Sequence, residues 1–463
     1  MGNLRRIIMT KTRRIGHLKF ATFFAERGTL KTRYRTFIRL AIGSGFVALM
    51  SNFAHAESLS SLIPELLKNN NLVKASEATA AAAREQIRVS EGGWLPSLGV
   101  TGTYGHQKQK KPEGTDDTDF AARSVDLSVT QLLWDFGNAN SQIRASRIGL
   151  TRAQADLELR RQEVTLRGVS AFLNLRRAHE TLMFALESEN NIKKQTELED
   201  ALVARGAGLS TDVLQSKRQL ASAQSRRVQA EGQLALARNE YRAIFLSEVA
   251  DLNNLKKPLL PVDMVPSSLE EALNIAFREN PSLRVAAADT GLARENVNTT
   301  RSSSFFPKID AIGESKYQKD SGGTAGEQRE LFAKLQMTFN FNLGMTAVNS
   351  LKAAENSVTS SSKTEAFQRE TLEQRVRNAW DNLLINRTNF KILRNETAIA
   401  AEFLDLVRKE RQLGNRQLQD VLQGETALIN ANSSATAAET DIAIGVYELL
   451  AAMGRLSLRA IRD

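Results

Sequence analysis

From Ser97 to Tyr104 apolar and polar positions alternate: Leu98, Val100, Gly102 and Tyr104 share one side, Ser97, Gly99, Thr101 and Thr103 the other. A period of two is the mark of a β-strand. The alternation returns as Val125, Leu127, Val129 and Leu133 against Ser124, Asp126, Ser128 and Thr130. A second pair follows much later. Ile309, Ala311, Gly313 and Tyr317 alternate with Asp310, Ile312, Glu314 and Lys316; then Leu331, Ala333, Leu335, Met337, Phe339 and Phe341 alternate with Phe332, Lys334, Gln336, Thr338, Asn340 and Asn342. These runs predict two hairpins, about 95–134 and about 307–342, with polar, glycine-bearing tips at His106 to Ala121 and Gln318 to Gln328.

The intervening chain reads as helix. Residues 138–203 and 346–412 contain no proline and are rich in Ala, Leu, Arg, Glu and Gln, all good helix formers. At 1.5 Å per residue each predicts a rod of about 100 Å, too long for a compact globular domain. Leu428, Ala431, Ala435, Ala438, Ile442, Gly445 and Leu449 then recur at heptad spacing, as do Leu220, Ala223, Arg227, Ala230, Leu234, Ala237, Tyr241 and Ile244. Such seams of mostly small residues predict returning helices packed closely along the rods.

The pattern is written twice. Leu59 to Glu85 matches Leu269 to Glu295, and Trp94-Leu95-Pro96 matches Phe305-Phe306-Pro307. Trp134 to Gly137 (WDFG) matches Phe341 to Gly344 (FNLG). Gly206, followed six residues on by Asp212-Val213-Leu214-Gln215, matches Gly414 followed by Asp420-Val421-Leu422-Gln423. We therefore expect a tandem duplication: residues 57–255, a linker at 256–268 holding three of the eight prolines, and residues 269–463. Tip turns are expected at about 204–214 and 412–422.

Charge changes the picture only at the start. Residues 1–56 hold eleven Lys/Arg and one acid, and so account for the whole formal charge of +10. A basic region, the apolar run Leu40 to Met50 and Ala54-His55-Ala56 have the layout of a signal peptide cleaved after Ala56. The remainder is neutral, with 51 basic and 51 acidic side chains, which removes the argument for nucleic acid. It has no cysteine, hence no disulfide framework and no thiol to lipidate. His106 and His179 are its only histidines, and no Walker loop, HExxH helix or G-x-S-x-G elbow occurs. Nothing points to an enzyme, a metal or a cofactor.

Strands of about ten residues with one apolar and one polar face are the pattern of a transmembrane β-barrel; four cannot close one, so several chains must contribute. A soluble hairpin on a helical protein is the bland alternative for the strands, and a periplasmic coiled-coil adaptor or structural protein, which would share the rods but not the hairpins, is the competing reading of another class. The duplicated unit, the aromatic-Pro approaches to the hairpins, the long helices and the paired G-x5-D-V-L-Q turns together resemble TolC-type outer-membrane channel proteins. That resemblance covers Glu57 to about Leu456. It implies a mixed fold of long α-helices and transmembrane β: a homotrimer whose twelve-stranded β-barrel in outer-membrane lipid continues into a periplasmic α-helical tunnel. It further implies a periplasmic adaptor and an inner-membrane ABC or RND transporter as partners. The function implied is a passive exit duct for type I secretion, with small-molecule drug efflux as the alternative.

Carried onto this chain, the adaptor-docking tip is Arg205, Gly206, Leu209, Asp212, Val213, Leu214, Gly414, Arg416, Asp420, Val421 and Leu422. Asp212, Arg411, Arg416, Asp420 and Gln423 are the gating candidates. The family's best-known pattern has an acid where this chain has Gln423. An ion pair to either Arg411 or Arg416 would act as a latch on the closed tip. Trp94, Pro96, Trp134, Phe305, Phe306 and Pro307 are expected at the membrane interface, where bulky aromatics are enriched and proline tolerates the start of a strand.

Overall fold

The computed structural model describes residues 58–249, 251–340 and 343–462. The expected signal segment, Phe341 and Asn342 lie outside them. Among the described residues the order is α1 (Leu59–Asn69), α2 (Asn71–Glu91), β1 (Ser97–Gln109), β2 (Thr118–Trp134), α3 (Asn138–Ala204) and α4 (Ser210–Phe245). The same order recurs as α5 (Leu269–Glu279), α6 (Pro281–Phe305), β3 (Lys308–Lys319), β4 (Glu327–Thr338), α7 (Thr346–Gln412) and α8 (Leu418–Ala452).

Local chemistry sets the breaks. Asn70 ends α1 and caps α2, its Oδ1 accepting from the amides of Leu72 at 2.9 Å and Val73 at 3.3 Å. Asn280 does the same for α6, accepting from Ser282 N at 2.8 Å. Each cap satisfies amide donors that the first helical turn leaves unpaired. The buried Asp135 carboxylate accepts from the amides of Gly137 and Ala139, at 3.1 and 2.7 Å, and so starts α3. Rods α3 and α7 each run 67 residues without a break.

The strands form one antiparallel sheet in the order β1-β2-β3-β4, leaving β1 and β4 as edges. Both hairpins extend further than their alternation suggests, because polar residues still pair: Gln107 and Gln109 with Phe120 and Thr118, and Gln318 and Lys319 with Gln328 and Glu327. In the second hairpin β4 ends at Thr338, short of Phe339.

The main apolar core sits partway along the rods. Leu59, Ile63, Phe172, Leu175, Tyr241, Ala276, Val376, Leu383, Tyr447 and Leu450 are all buried in one cluster. Gly168 on α3 makes the approach of α1 possible: a Cβ there would lie 2.6 Å from Leu66 Cδ2 and 2.8 Å from Ile63 Cδ1. Along α4 and α8 every residue of both heptad seams is buried or half-buried. Arg227, the polar member, is satisfied by Glu189 at 2.6 Å and Glu231 at 2.5 Å.

Paired charges tie the second half together. Arg455 donates Nε and Nη2 to the Glu279 carboxylate at 2.7 and 2.8 Å, and Arg278 adds a contact at 2.8 Å. Hydrogen bonds from Arg455 first, then Arg278, hold the Glu279 carboxyl down at about 2. A folded-state value below the unfolded one stabilises fully above the unfolded value and is lost as pH falls. We expect the unfolding midpoint in denaturant to decline between about pH 4.5 and 2, and Glu279→Gln to flatten that decline. Identical pH profiles for the two proteins would exclude this pair as a source of acid lability.

Candidate functional site

Two ends of the molecule carry the candidate residues. At the sheet, the register lines up a single apolar face across all four strands. Val100 pairs with Leu127, Leu98 with Val129, Ile309 with Met337 and Ala311 with Leu335. In β2 and β3, Val125 opposes Tyr317 and Leu127 opposes Ser315. Leu98, Val100, Leu331, Leu335 and Met337 are at least 64% exposed, so nothing among the described residues covers this face. The other face is polar: Thr103 and Ser124 hydrogen bond at 2.6 Å, and Glu314 pairs with Lys334 at 2.9 Å and Lys316 at 3.4 Å.

Aromatic rings mark both margins of the apolar face. At the loop end Arg123 lies over Tyr104 and Arg329 over Tyr317, at 5.7 and 5.6 Å from the ring centres. At the helix end Phe136 stacks on Phe306 at 4.9 Å and meets Trp134 edge-on at 6.1 Å. Trp94 donates its indole N–H to Asn140 at 3.2 Å, while its carbonyl accepts from Gln131 at 2.8 Å. Pro96 and Pro307 each stand one residue before a strand, and Phe305 is the last residue of α6. Phe136, absent from the sequence candidates, joins the two repeats here. Its signal was only an aromatic inside WDFG, on a backbone of positive φ (54°).

At the opposite end each rod closes with a glycine. Gly206 and Gly414 have φ of 75° and 80°, a region that side chains disfavour. Gly206 N–H bonds Val203 O and Ala207 N–H bonds Leu202 O, both at 2.9 Å; Gly414 N–H and Asn415 N–H bond Arg411 O and Glu410 O, both at 3.0 Å. These are two Schellman motifs, which satisfy the last helical carbonyls and turn the chain back. Asp212 and Asp420 fall in the first turns of α4 and α8, where a carboxylate meets the positive end of the helix dipole.

The tip candidates separate by exposure. Val213, Val421 and Leu422 are buried in the tip's own packing, with Leu422 against Ile192 and Ala223, and Val421 against Leu404 and Val407. Arg205, Leu209, Leu214 and Gln423 are exposed.

The two arginines have different partners. Arg416 Nε reaches Glu410 at 2.6 Å and its Nη1 reaches Asp420 at 3.7 Å, so within the protomer it ties α7 to α8. Arg411 crosses between repeats: its Nη2 lies 3.0 Å from Glu199 on α3 and 3.9 Å from Asp212 on α4, and its Nη1 donates to the Arg416 carbonyl at 3.2 Å. The Glu199 side chain is only 2% exposed and also accepts from Gln195 at 2.8 Å. Sequence reasoning did not single out Glu199, which is one of several acids near the end of α3.

The sequence profile of the outer membrane efflux protein family matches twice, at residues 62–245 and 272–455. Outer membrane protein TolC of Escherichia coli is 24% identical over 430 residues, 89% of this chain and 85% of that protein. The alkaline protease secretion protein AprF of Pseudomonas aeruginosa is 22% identical over 426 residues, 90% of this chain and 86% of its own. Among solved structures the outer membrane protein VceC of Vibrio cholerae superposes with a TM-score of 0.73 at 15% identity, covering 86% of this chain and 96% of that one. The double profile match spans most of the sequence, and the chain belongs to the outer membrane efflux protein family.

Proposed function

We propose that the protein is the outer-membrane exit duct of a tripartite type I secretion system, a passive conduit rather than a catalyst. The observation that carries this is the sheet. Its apolar face is exposed and bounded by aromatics, its opposite face is polar, and its edges β1 and β4 are free. A free edge in lipid leaves backbone groups unsatisfied, so the sheet needs neighbouring copies to close.

The helices make the same demand. On α7, Ile385, Ile392, Ile399 and Leu406 recur every seven residues, Leu413 at the C-cap continues the series, and all are at least half exposed. A heptad stripe left bare in one chain is a surface for another helix. Three copies supply twelve strands, and the polar sheet face then lines the bore. A periplasmic adaptor is proposed to meet the tip at Arg205, Leu209 and Leu214, beyond which lies an inner-membrane ABC or RND pump.

The test is incorporation of the purified protein into a planar bilayer together with outer-membrane fractionation of cells. Stepwise single-channel conductance and heat-modifiable gel mobility are expected. Absence from the outer membrane and a silent bilayer would leave the adaptor or structural reading. Secretion is favoured by AprF's name, by the lack of any cysteine to lipidate and by the overall pattern. The alternative, small-molecule drug efflux, draws on the word efflux in the family's description, which names no substrate. Deleting the gene separates them: lost export of a protein supports secretion, and drug sensitivity with normal export supports efflux.

A further inference from the structure

Helices α3, α4 and α8 frame a groove of about 730 Å³ between the tip and the core. Its lining mixes small apolar residues with amides and hydroxyls, Asn174, Gln229, Gln233, Asn430 and Ser434 among them, and it holds two cations, Arg177 and Arg226. Arg177 has a partner, Asp441 at 3.3 Å. Arg226 does not. Its Nη1 donates to Ser222 Oγ at 3.2 Å, while Nε and Nη2 are buried without any hydrogen-bond partner.

Those two atoms are the significant pair. Their N–H bonds run parallel along one edge of the guanidinium, the edge that takes the two oxygens of a carboxylate or phosphate. The local acids are committed elsewhere, since Glu189 and Glu231 both pair with Arg227. Glu240, the one acid in the groove lining, is fourteen residues along α4 from Arg226, about 21 Å away. Burial pushes the Arg226 guanidinium below its usual range, yet arginine stays protonated at any working pH. On this half-buried guanidinium, two N–H groups that are buried and unpaired carry a desolvation cost with no hydrogen bond to offset it.

We propose that the groove binds a small oxyanion, a carboxylate or phosphate group, on the Nε–Nη2 edge of Arg226, flanked by the amides of α4 and α8. The edge lies against protein rather than solvent, so binding takes a turn of the guanidinium about its last torsions toward the groove. Arg177 contributes long-range attraction without giving up Asp441. The site is separate from the tip and from the sheet, and its ligand class does not depend on whether the duct serves secretion or efflux.

The test is calorimetric titration of the full chain in detergent micelles with inorganic phosphate and, separately, acetate, at fixed ionic strength against a chloride reference. Saturable binding at one site per chain is expected. Arg226→Gln should weaken it at least about tenfold, and Arg226→Lys less, because an ammonium keeps the charge but not the fork. Acetate competing with phosphate identifies a general oxyanion site, and phosphate binding alone narrows it to phosphate. Wild-type protein that binds neither ion saturably overturns the proposal. So does Arg226→Gln or Arg226→Met that retains helical circular dichroism and binds as wild type does. Should both variants fail to fold, the wild-type and Arg226→Lys titrations alone decide.

Discussion

Replacing Arg411 by alanine is expected to raise single-channel conductance in planar bilayers by releasing the proposed latch at the periplasmic tip. Arg411 is the side chain that spans the two repeats there, with Glu199 at 3.0 Å and Asp212 at 3.9 Å. Glu199 is buried, so deleting the arginine leaves a carboxylate without its counter-charge, a loss of about 3–5 kcal/mol. That shifts a closed-to-open ratio by a factor on the order of 100 or more. Glu199→Gln should act in the same direction. The double variant should add little to either single change, because both remove one interaction. Arg416→Ala also should raise conductance, but less, since its partners Glu410 and Asp420 belong to its own hairpin. Wild-type conductance in Arg411→Ala would dismiss the inter-repeat pair as a latch.

The second large effect is expected at Leu127, in the middle of β2 between Val100 and Ser315. Arginine there places a charge on the apolar face, costing about 2–4 kcal/mol per chain near the bilayer midplane. In the proposed trimer the cost falls three times on one barrel. Leu127→Arg protein should be lost from the outer-membrane fraction and lack heat-modifiable mobility. Ser128→Arg, one residue on and therefore on the polar face, should insert normally and change only conductance. Equal insertion of the two variants would show that this face does not meet lipid.

Much of the architecture was legible because burial writes its own period into the chain. Alternation marked the strands, and the unbroken runs before Ala204 and Gln412 marked the rods to within a residue or so. The heptad seams fell on the packed faces of α4 and α8. What stayed hidden depended on three-dimensional phase. Glu199 stands among Glu197 and Asp200, and only the rotation of α3 against α7 selects it for Arg411, 212 positions away. Val421 and Leu422 carry the motif that marks the tip, yet that motif says nothing of which side chains turn inward. The hairpin tips were underestimated because glutamine pairs in a ladder through its backbone, to which polarity of the side chain is irrelevant.

The unbroken length of α7 has a mechanical consequence. Val376, Ala379 and Leu383 hold the rod in the main core, and Arg411 lies about 42 Å beyond Leu383 along the helix. The rod is thus a lever with its fulcrum in the core and its load at the Arg411–Glu199 contact. A tilt of about 5° at the fulcrum carries the far end by nearly 4 Å over that arm. That displacement exceeds what a 3.0 Å ion pair tolerates, so a repacking too small to disturb the core would part the pair at the tip.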